Sequence, residues 1–335
     1  MNIIIPMAGR GTRLRPHTLT IPKPLLPVAG KPIIQRLVED LVAAYGGQID
    51  EISFIVGDFG VETERNLIAI AERLGARGRI YRQENPLGVG HAIYCAGESL
   101  TGPCIVAFAD TLFKADFTFD PGEDGVIWVE RVQDPSSFGV VRLDPAGYIT
   151  EFVEKPSTFV SDLAIVGIYY FREGEKLRRT LEGVIRSETR EKNEFQLTTA
   201  LELLKNEGLR FRTGEIEEWL DCGNKTAVLY SNERMLEIHR HTSLVAESAE
   251  IENSILIQPC FVGERAVIRN SVIGPYVSIG HNSTVENAVI SNTIIQNDAQ
   301  IKNALLDHSM VGNASVFTGS RDELNLGDFS NFSKG

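Results

Sequence analysis

The sequence predicts an α/β domain with a mixed, mostly parallel sheet in Rossmann-like layers, followed by a parallel β-helix. Short β-rich runs alternate with helix-length amphipathic stretches from Met1 to about Gly223, the pattern of strands joined by covering helices. An asparagine-phased repeat runs through the last part of the 335 residues. Between the first strand and the first helix lies a glycine- and proline-rich loop that is basic, although the protein has a formal net charge of -12.

The apolar run at 2–5 is the first strand. Ile33, Ile34, Leu37, Val38, Leu41, Val42 and Tyr45 then recur at helical spacing and give one apolar face. Further strands are expected at 52–56, 104–109, 126–130, 163–171 and 209–213, and further helices at 61–74, 88–99, 173–186 and 195–207. In such sheets ligands bind beyond the carboxyl ends of the strands. Residues 225–241 read as one connecting helix. The segments ENSIL, RNSVI, ENAVI and KNALL follow, placing Asn253, Asn270, Asn287 and Asn303 at intervals of 17, 17 and 16 residues. Aliphatic residues such as Ile273, Ile279, Val285, Ile295, Ile301 and Val311 fall near every sixth position. A near-constant coil length with an aliphatic ladder predicts coils that stack on one another. The expected organisation is an α/β domain at 1–223, a linker helix at 224–241, a β-helix at 242–320 and a polar tail at 321–335.

Composition narrows the class. With 43% hydrophobic residues the chain can bury a sizeable core and form two domains. Its acidity argues against nucleic-acid and anionic-membrane partners, which need an extended basic face. The four cysteines (Cys95, Cys104, Cys222, Cys260) show no CxxC spacing, so neither a disulfide framework nor a zinc site is supported. No apolar run reaches membrane-spanning length, and the first strand begins at residue 2, leaving no room for a signal peptide. A reduced, cytoplasmic setting is expected.

The first 38 residues hold six of the 33 basic residues (Arg10, Arg13, Arg15, Lys23, Lys31, Arg36) and no acidic one, leaving 27 basic against 45 acidic residues elsewhere. Within them runs PMAGRGTRLRPHTLTIPKPLLPVAGKP, residues 6–32. A glycine-rich loop leaving a strand brings bare N–H groups close to phosphate oxygens, and flanking Arg and Lys neutralise the charge. A dinucleotide fingerprint is excluded because position 14 is Leu and no acidic residue precedes Glu39; no GK followed by Ser or Thr makes a P-loop. The loop suits a polyanionic small molecule such as a triphosphate.

GRGTRLRP at 9–16 and KPLLPVAGKPII at 23–34 resemble the signature of the sugar-1-phosphate nucleotidyltransferases, in particular glucose-1-phosphate thymidylyltransferases and uridylyltransferases. PLGVGHA at 86–92, FAD at 108–110, FGVV at 138–141, FVEKP at 152–156, VGIYYF at 166–171, EFQLT at 194–198 and WLDCGN at 219–224 follow in family order. The C-terminal repeat is similar to the left-handed β-helix appended to many longer members. The resemblance implies that a sugar 1-phosphate attacks the α-phosphorus of a nucleoside triphosphate, with pyrophosphate leaving. It implies catalytic roles for Arg13 and Lys23, and triphosphate and base contacts from Ala8, Gly9, Gly11, Thr12, Arg13, Gln83 and Gly88. Gln83 fits a pyrimidine, since one amide can both donate and accept along the O4 and N3 edge. On the acceptor side it implies Gly139, Glu154, Lys155, Lys192 and Glu194 as sugar-phosphate ligands, and Asp110 and Asp221 as Mg²⁺ ligands. Asp110 is expected to end its strand at the ligand-binding edge and Asp221 to sit similarly. Thr111 stands where Asn is common in thymidylyltransferases. A homo-oligomer assembled through the β-helix is expected. Two alternatives stay open: a second, acetyl-transferring activity in the β-helix, which holds His281 and His308, and a mannose-1-phosphate guanylyltransferase.

Overall fold

The computed structural model describes every residue except Arg10, Asp116, Thr118, Lys192 and 321–335; the predicted polar tail therefore lies outside the described residues. The chain forms two compact units: Met1–Pro27 with Lys31–Val228, and Val28–Gly30 with the chain from Leu229 onward.

The first unit is built on a nine-stranded mixed sheet. One side of it is parallel: Cys104–Ala107, Asn2–Pro6, Glu51–Val56 and Arg77–Arg82 lie side by side, the last at the edge. The first three are apolar and β-branched, as a sheet covered on both faces requires. Leu163–Phe171 runs antiparallel beside Cys104–Ala107, with Gly125–Arg131 and the hairpin Gly139–Leu143/Ile149–Glu154 beyond it. Phe211–Gly214 adds in parallel to Gly125–Arg131.

Helix α1 (Ile33–Tyr45) forms where the heptad-like spacing predicts. It buries Ile33, Ile34, Leu37, Val38 and Leu41, each contributing about 1.5–3 kcal/mol of transfer free energy. Gly46, in left-handed conformation, closes it by donating to the Val42 carbonyl. Then come α2 (Val61–Arg73), α3 (Val89–Cys95), α4 (Gly174–Arg186), α5 (Leu197–Asn206) and α6 (Lys225–Ile238), which leads into the second unit. The helix expected at 88–99 stops at Cys95 because Ala96 leaves helical geometry, and the connecting helix ends at Ile238 instead of 241. Besides the two-residue strands Pro27–Val28 and Lys31–Pro32, five longer strands escaped the sequence reading: Arg77–Arg82, Thr111–Lys114, Gly139–Leu143, Ile149–Glu154 and Glu218–Asp221. Polar residues interrupt all five, so their apolar content was too thin to stand out.

The second unit contains a parallel β-helix whose three sheets each take one short strand per coil. Ile268, Ile273, Val277, Ile279, Val285, Ile290, Ile295 and Ile301 fill its interior. Asn253, Asn270, Asn287 and Asn303 all sit at left-handed corners, with φ of 47°, 49°, 51° and 52°. Asparagine tolerates that conformation, and each side-chain amide donates to the next, at 2.8, 3.3 and 3.3 Å. The phasing of the repeat is thus a corner requirement and a hydrogen-bonded ladder at once. Within this unit Asn232 of α6 accepts from the Ala29 N–H at 2.9 Å and the Ser278 hydroxyl at 2.7 Å.

Candidate active site

The strand Asn2–Pro6 delivers the basic loop to the carboxyl edge of the sheet. Short 3-10 turns at Thr12–Leu14 and Lys23–Leu25 are anchored inward by Leu14 and Pro24. Gly11 is left-handed (φ 59°), and a Cβ there would lie 2.9 Å from the Lys23 Cβ and 3.1 Å from the Thr18 Cγ2. The Thr18 hydroxyl donates to the Gly11 carbonyl at 2.7 Å. Gly9 faces open space, with nothing within 4 Å of where a Cβ would stand. Ala8, Gly9, Gly11, Thr12 and Arg13 line a cleft of about 710 Å³ together with Lys23, Gln83, Gly88 and Asp110.

Asp110 and Asp221 come together by a different route from the one expected. The strand ends at Ala107, so Asp110 lies three residues past it, in a turn closed by the Thr111 N–H on the Phe108 carbonyl. Asp221 ends Glu218–Asp221, which pairs antiparallel with Thr111–Lys114 in a separate two-stranded ribbon, Asp221 opposite Thr111. The Cys222 N–H donates to the Asp110 carbonyl at 2.9 Å and holds the two segments together. The carboxylates therefore meet across a ribbon and not at a shared edge of the main sheet. The Thr111 hydroxyl is committed to the Val166 carbonyl at 2.9 Å.

Charge is concentrated here. Lys23, buried, places its Nζ 2.6 Å from Asp110 Oδ2. Burial and then the charge of Asp110 push the Asp221 carboxyl above its ordinary value, against the pull of Lys23, the Gly223 N–H and Arg13. Two carboxylates in opposition offer hard oxygen donors suited to Mg²⁺. Among the described residues no cluster of three or more His, Cys, Asp or Glu gathers.

A second cleft of about 1020 Å³ shares Arg13, Asp110, Glu154, Lys155, Tyr169 and Thr198 with the first. Glu154 is held by the Thr198 hydroxyl at 3.3 Å and lies 3.4 Å from the Lys155 Nζ. A Cβ on Gly139 would come within 3.2 Å of Glu154 Oε2, so a side chain there would crowd the carboxylate. Lys155 has φ 45° immediately before Pro156, and its N–H donates to the Phe138 carbonyl at 3.0 Å; left-handed backbone at such a residue costs on the order of 1–3 kcal/mol. Glu194 lines the first cleft and accepts from the Gln196 amide at 3.1 Å. Lys192 lies outside the described residues. Sequence reasoning missed Tyr169, Thr198, Phe138 and Trp219 as cleft walls. Their only signal was membership of the quoted motifs. The buried Trp219 Nε1 has no hydrogen-bond partner, and its ring meets Phe138 edge-on at 4.9 Å.

At the far end, Gln83 Nε2 donates to the Gly88 carbonyl at 2.9 Å and lies 3.0 Å from His91 Nδ1. Gly88 has φ 107°, and a Cβ there would stand 2.7 Å from the Phe195 carbonyl. The segment around Phe195 is laced to this loop by the Phe195 N–H on Leu87 and the Gly90 N–H on Phe195, both at 2.8 Å. In the β-helix, His281 Nδ1 accepts from the Glu264 N–H at 3.0 Å, and His308 pairs with Asp307 at 2.7 Å. Among the described residues no disulfide joins the cysteines, and no helix is long and apolar enough to cross a membrane.

The nucleotidyl transferase family model matches residues 2–238, and one described as GlmU-like, C-terminal hexapeptide matches residues 237–303. A glucose-1-phosphate thymidylyltransferase from Streptomyces antibioticus is 32% identical over 289 residues, covering 78% of each chain. The mannose-1-phosphate guanylyltransferase catalytic subunit beta of Danio rerio is 37% identical over 183 residues, 51% of this chain and 49% of that one. The structure of a UDP-glucose pyrophosphorylase complexed with UDP-glucose superposes with a TM-score of 0.56 at 26% identity, over 71% of this chain and 98% of that chain. The matched stretch spans between 49% and 78% of the length of the curated relatives compared.

Proposed function

The chain belongs to the nucleotidyl transferase family, and from that premise we propose that it transfers a nucleotidyl group from dTTP or UTP to a sugar 1-phosphate, with glucose 1-phosphate as the acceptor, releasing pyrophosphate. The observation that carries this reading is the Lys23–Asp110 pair at 2.6 Å beside Asp221 and Arg13, where the two clefts share a wall. A phosphate oxygen of the sugar phosphate forms the new bond to the α-phosphorus as the bond to the pyrophosphate oxygen breaks. The nucleophile is already an anion, so no proton must be removed, and the protein's task is neutralisation and alignment. Arg13 meets charge developing on the departing pyrophosphate through its planar fork, and Lys23 serves the reacting phosphates as a point charge. Asp110 and Asp221 would hold Mg²⁺, whose contribution when bound is to draw charge from the phosphate oxygens. Glu154 and Lys155, with Gly139 and Glu194, receive the sugar phosphate; Lys192 is assigned there by resemblance alone. We assign the β-helix to assembly of a homo-oligomer, since one sheet carries an outward aliphatic row.

A guanylyltransferase reading with mannose 1-phosphate is favoured by one observation: the 37% identity over 183 residues with the Danio rerio mannose-1-phosphate guanylyltransferase subunit. Pyrophosphate release from a grid of nucleoside triphosphates and sugar 1-phosphates decides between the two. Within it, Asp110→Asn and Asp221→Asn are expected to abolish Mg²⁺-dependent release; near-normal turnover in either folded variant would remove the two-carboxylate metal site.

A further inference from the structure

Gln83 is buried, and it lines the cleft. The Gly88 carbonyl can only accept, so the amide nitrogen must be the atom facing it. That nitrogen carries two protons. His91 Nδ1, 3.0 Å away, is the acceptor for the second when the imidazole is neutral with its proton on Nε2. The ring sits on α3, stacked at 29° on Phe195, and its burial lowers the pKa and favours the neutral form. With both protons engaged, Oε1 is the group left for a ligand.

We propose that His91 is a positioning residue for base selection: by accepting from Gln83 Nε2 it fixes the amide with Oε1 toward the base. The cleft then prefers bases that present an N–H on that edge (uracil, thymine, guanine) over those that present a bare ring nitrogen (cytosine, adenine). Turning the amide over to serve cytosine would set Oε1 against the Gly88 carbonyl and the lone pair of His91 Nδ1, exchanging two hydrogen bonds for two repulsions. His91 does not line the cleft and acts only through Gln83. The inference rests on the nucleotide reading of the cleft given above.

The charged and titratable neighbours of the imidazole are few. Cys95 Sγ lies 3.9 Å from Nδ1 on the same helix, and Glu84 acts on that thiol. From the segment packed against the ring come Glu194 and Arg190, whose guanidinium lies 4.7 Å over Phe195. A protonated His91 can no longer accept from the amide, and the turned-over amide becomes the better partner.

The test is the ratio of kcat/KM for UTP to that for CTP with glucose 1-phosphate, and of GTP to ATP with mannose 1-phosphate. His91→Leu is expected to lower these ratios about tenfold, the worth of one net hydrogen bond, and His91→Asn, with an oxygen near the Nδ1 position, to restore them. In the wild-type protein the ratio should hold above neutral pH and fall once the pH drops below the ordinary histidine value of about 6.5. In His91→Asn it should stay flat; ionisations common to both substrates cancel. An unchanged ratio in His91→Leu overturns the proposal. Should that variant not fold, a wild-type ratio that stays flat to the lowest pH at which the protein remains folded overturns it instead. If no pair releases pyrophosphate, the transferase reading fails by itself, and the same ratios are then read from calorimetric binding of UTP and CTP.

Discussion

Lys23 shows how much one side chain can carry. Its stem is buried and its ammonium meets Asp110, which is partly exposed. Lys23→Met keeps the packing and removes the charge, so kcat for pyrophosphate release should fall about 10²- to 10³-fold while the melting temperature barely moves. Lys23→Arg should not recover it, because a planar fork does not fit a site closed around a point charge. A loss under about tenfold in the Met variant would sink this role. Asp40 offers a test of linkage. Burial, opposed by Arg36, raises its carboxyl to about 6, and its Oδ2 is buried without a partner. Folding therefore favours the protonated form, and the ionised group weighs against the fold as pH rises through 6. Asp40→Asn should exceed wild type in stability by up to about 3 kcal/mol at about pH 8, the gap closing near pH 4. Denaturant titrations that find equal gaps at the two pH values would refute it.

At the scale of elements, the asparagine corners separate backbone from side chain. Asn270 has φ 49° and both receives and gives a ladder hydrogen bond. Asn270→Ala loses the ladder and strains the corner, and should cost about 1–3 kcal/mol. Asn270→Gly loses only the ladder and should cost less, because glycine accepts the left-handed corner. Thermal unfolding of the two variants measures the order, and a Gly variant as unstable as the Ala variant would assign the whole effect to the amides. The coil length was legible in the sequence from the asparagine spacing of 17, 17 and 16 residues, and the structure shows that these asparagines are the corners. The ribbon of Thr111–Lys114 and Glu218–Asp221 was not legible. Its strands are short, pair across about a hundred residues, and carry no alternation that a single sequence displays.

For the molecule as a whole, the β-helix presents Ile255, Val272, Val289 and Leu305 in register on one sheet. Leu305 is 84% exposed and Ile255 61%. An outward aliphatic row on a flat parallel sheet is suited to a second copy of itself. Leu305→Lys combined with Val289→Lys should shift the protein toward smaller species in light scattering at micromolar concentration, without loss of pyrophosphate release. A monomeric wild-type protein under those conditions would remove assembly as the purpose of this row.

The sequence by itself determined the two textures of the chain, the basic loop after the first strand, and the residues gathered at the clefts, because periodicity and short motifs are local properties. It placed Asp110 and Asp221 in one site without revealing how they reach it. Only the tertiary structure decided that they meet across a ribbon, that Thr111 turns to Val166, and that the Gln83 amide nitrogen turns to the Gly88 carbonyl. Each of these depends on which backbone carbonyl or ring nitrogen arrives from a distant segment. A hydrogen bond's direction is set by its partner, and the partner is not written beside the residue in the chain.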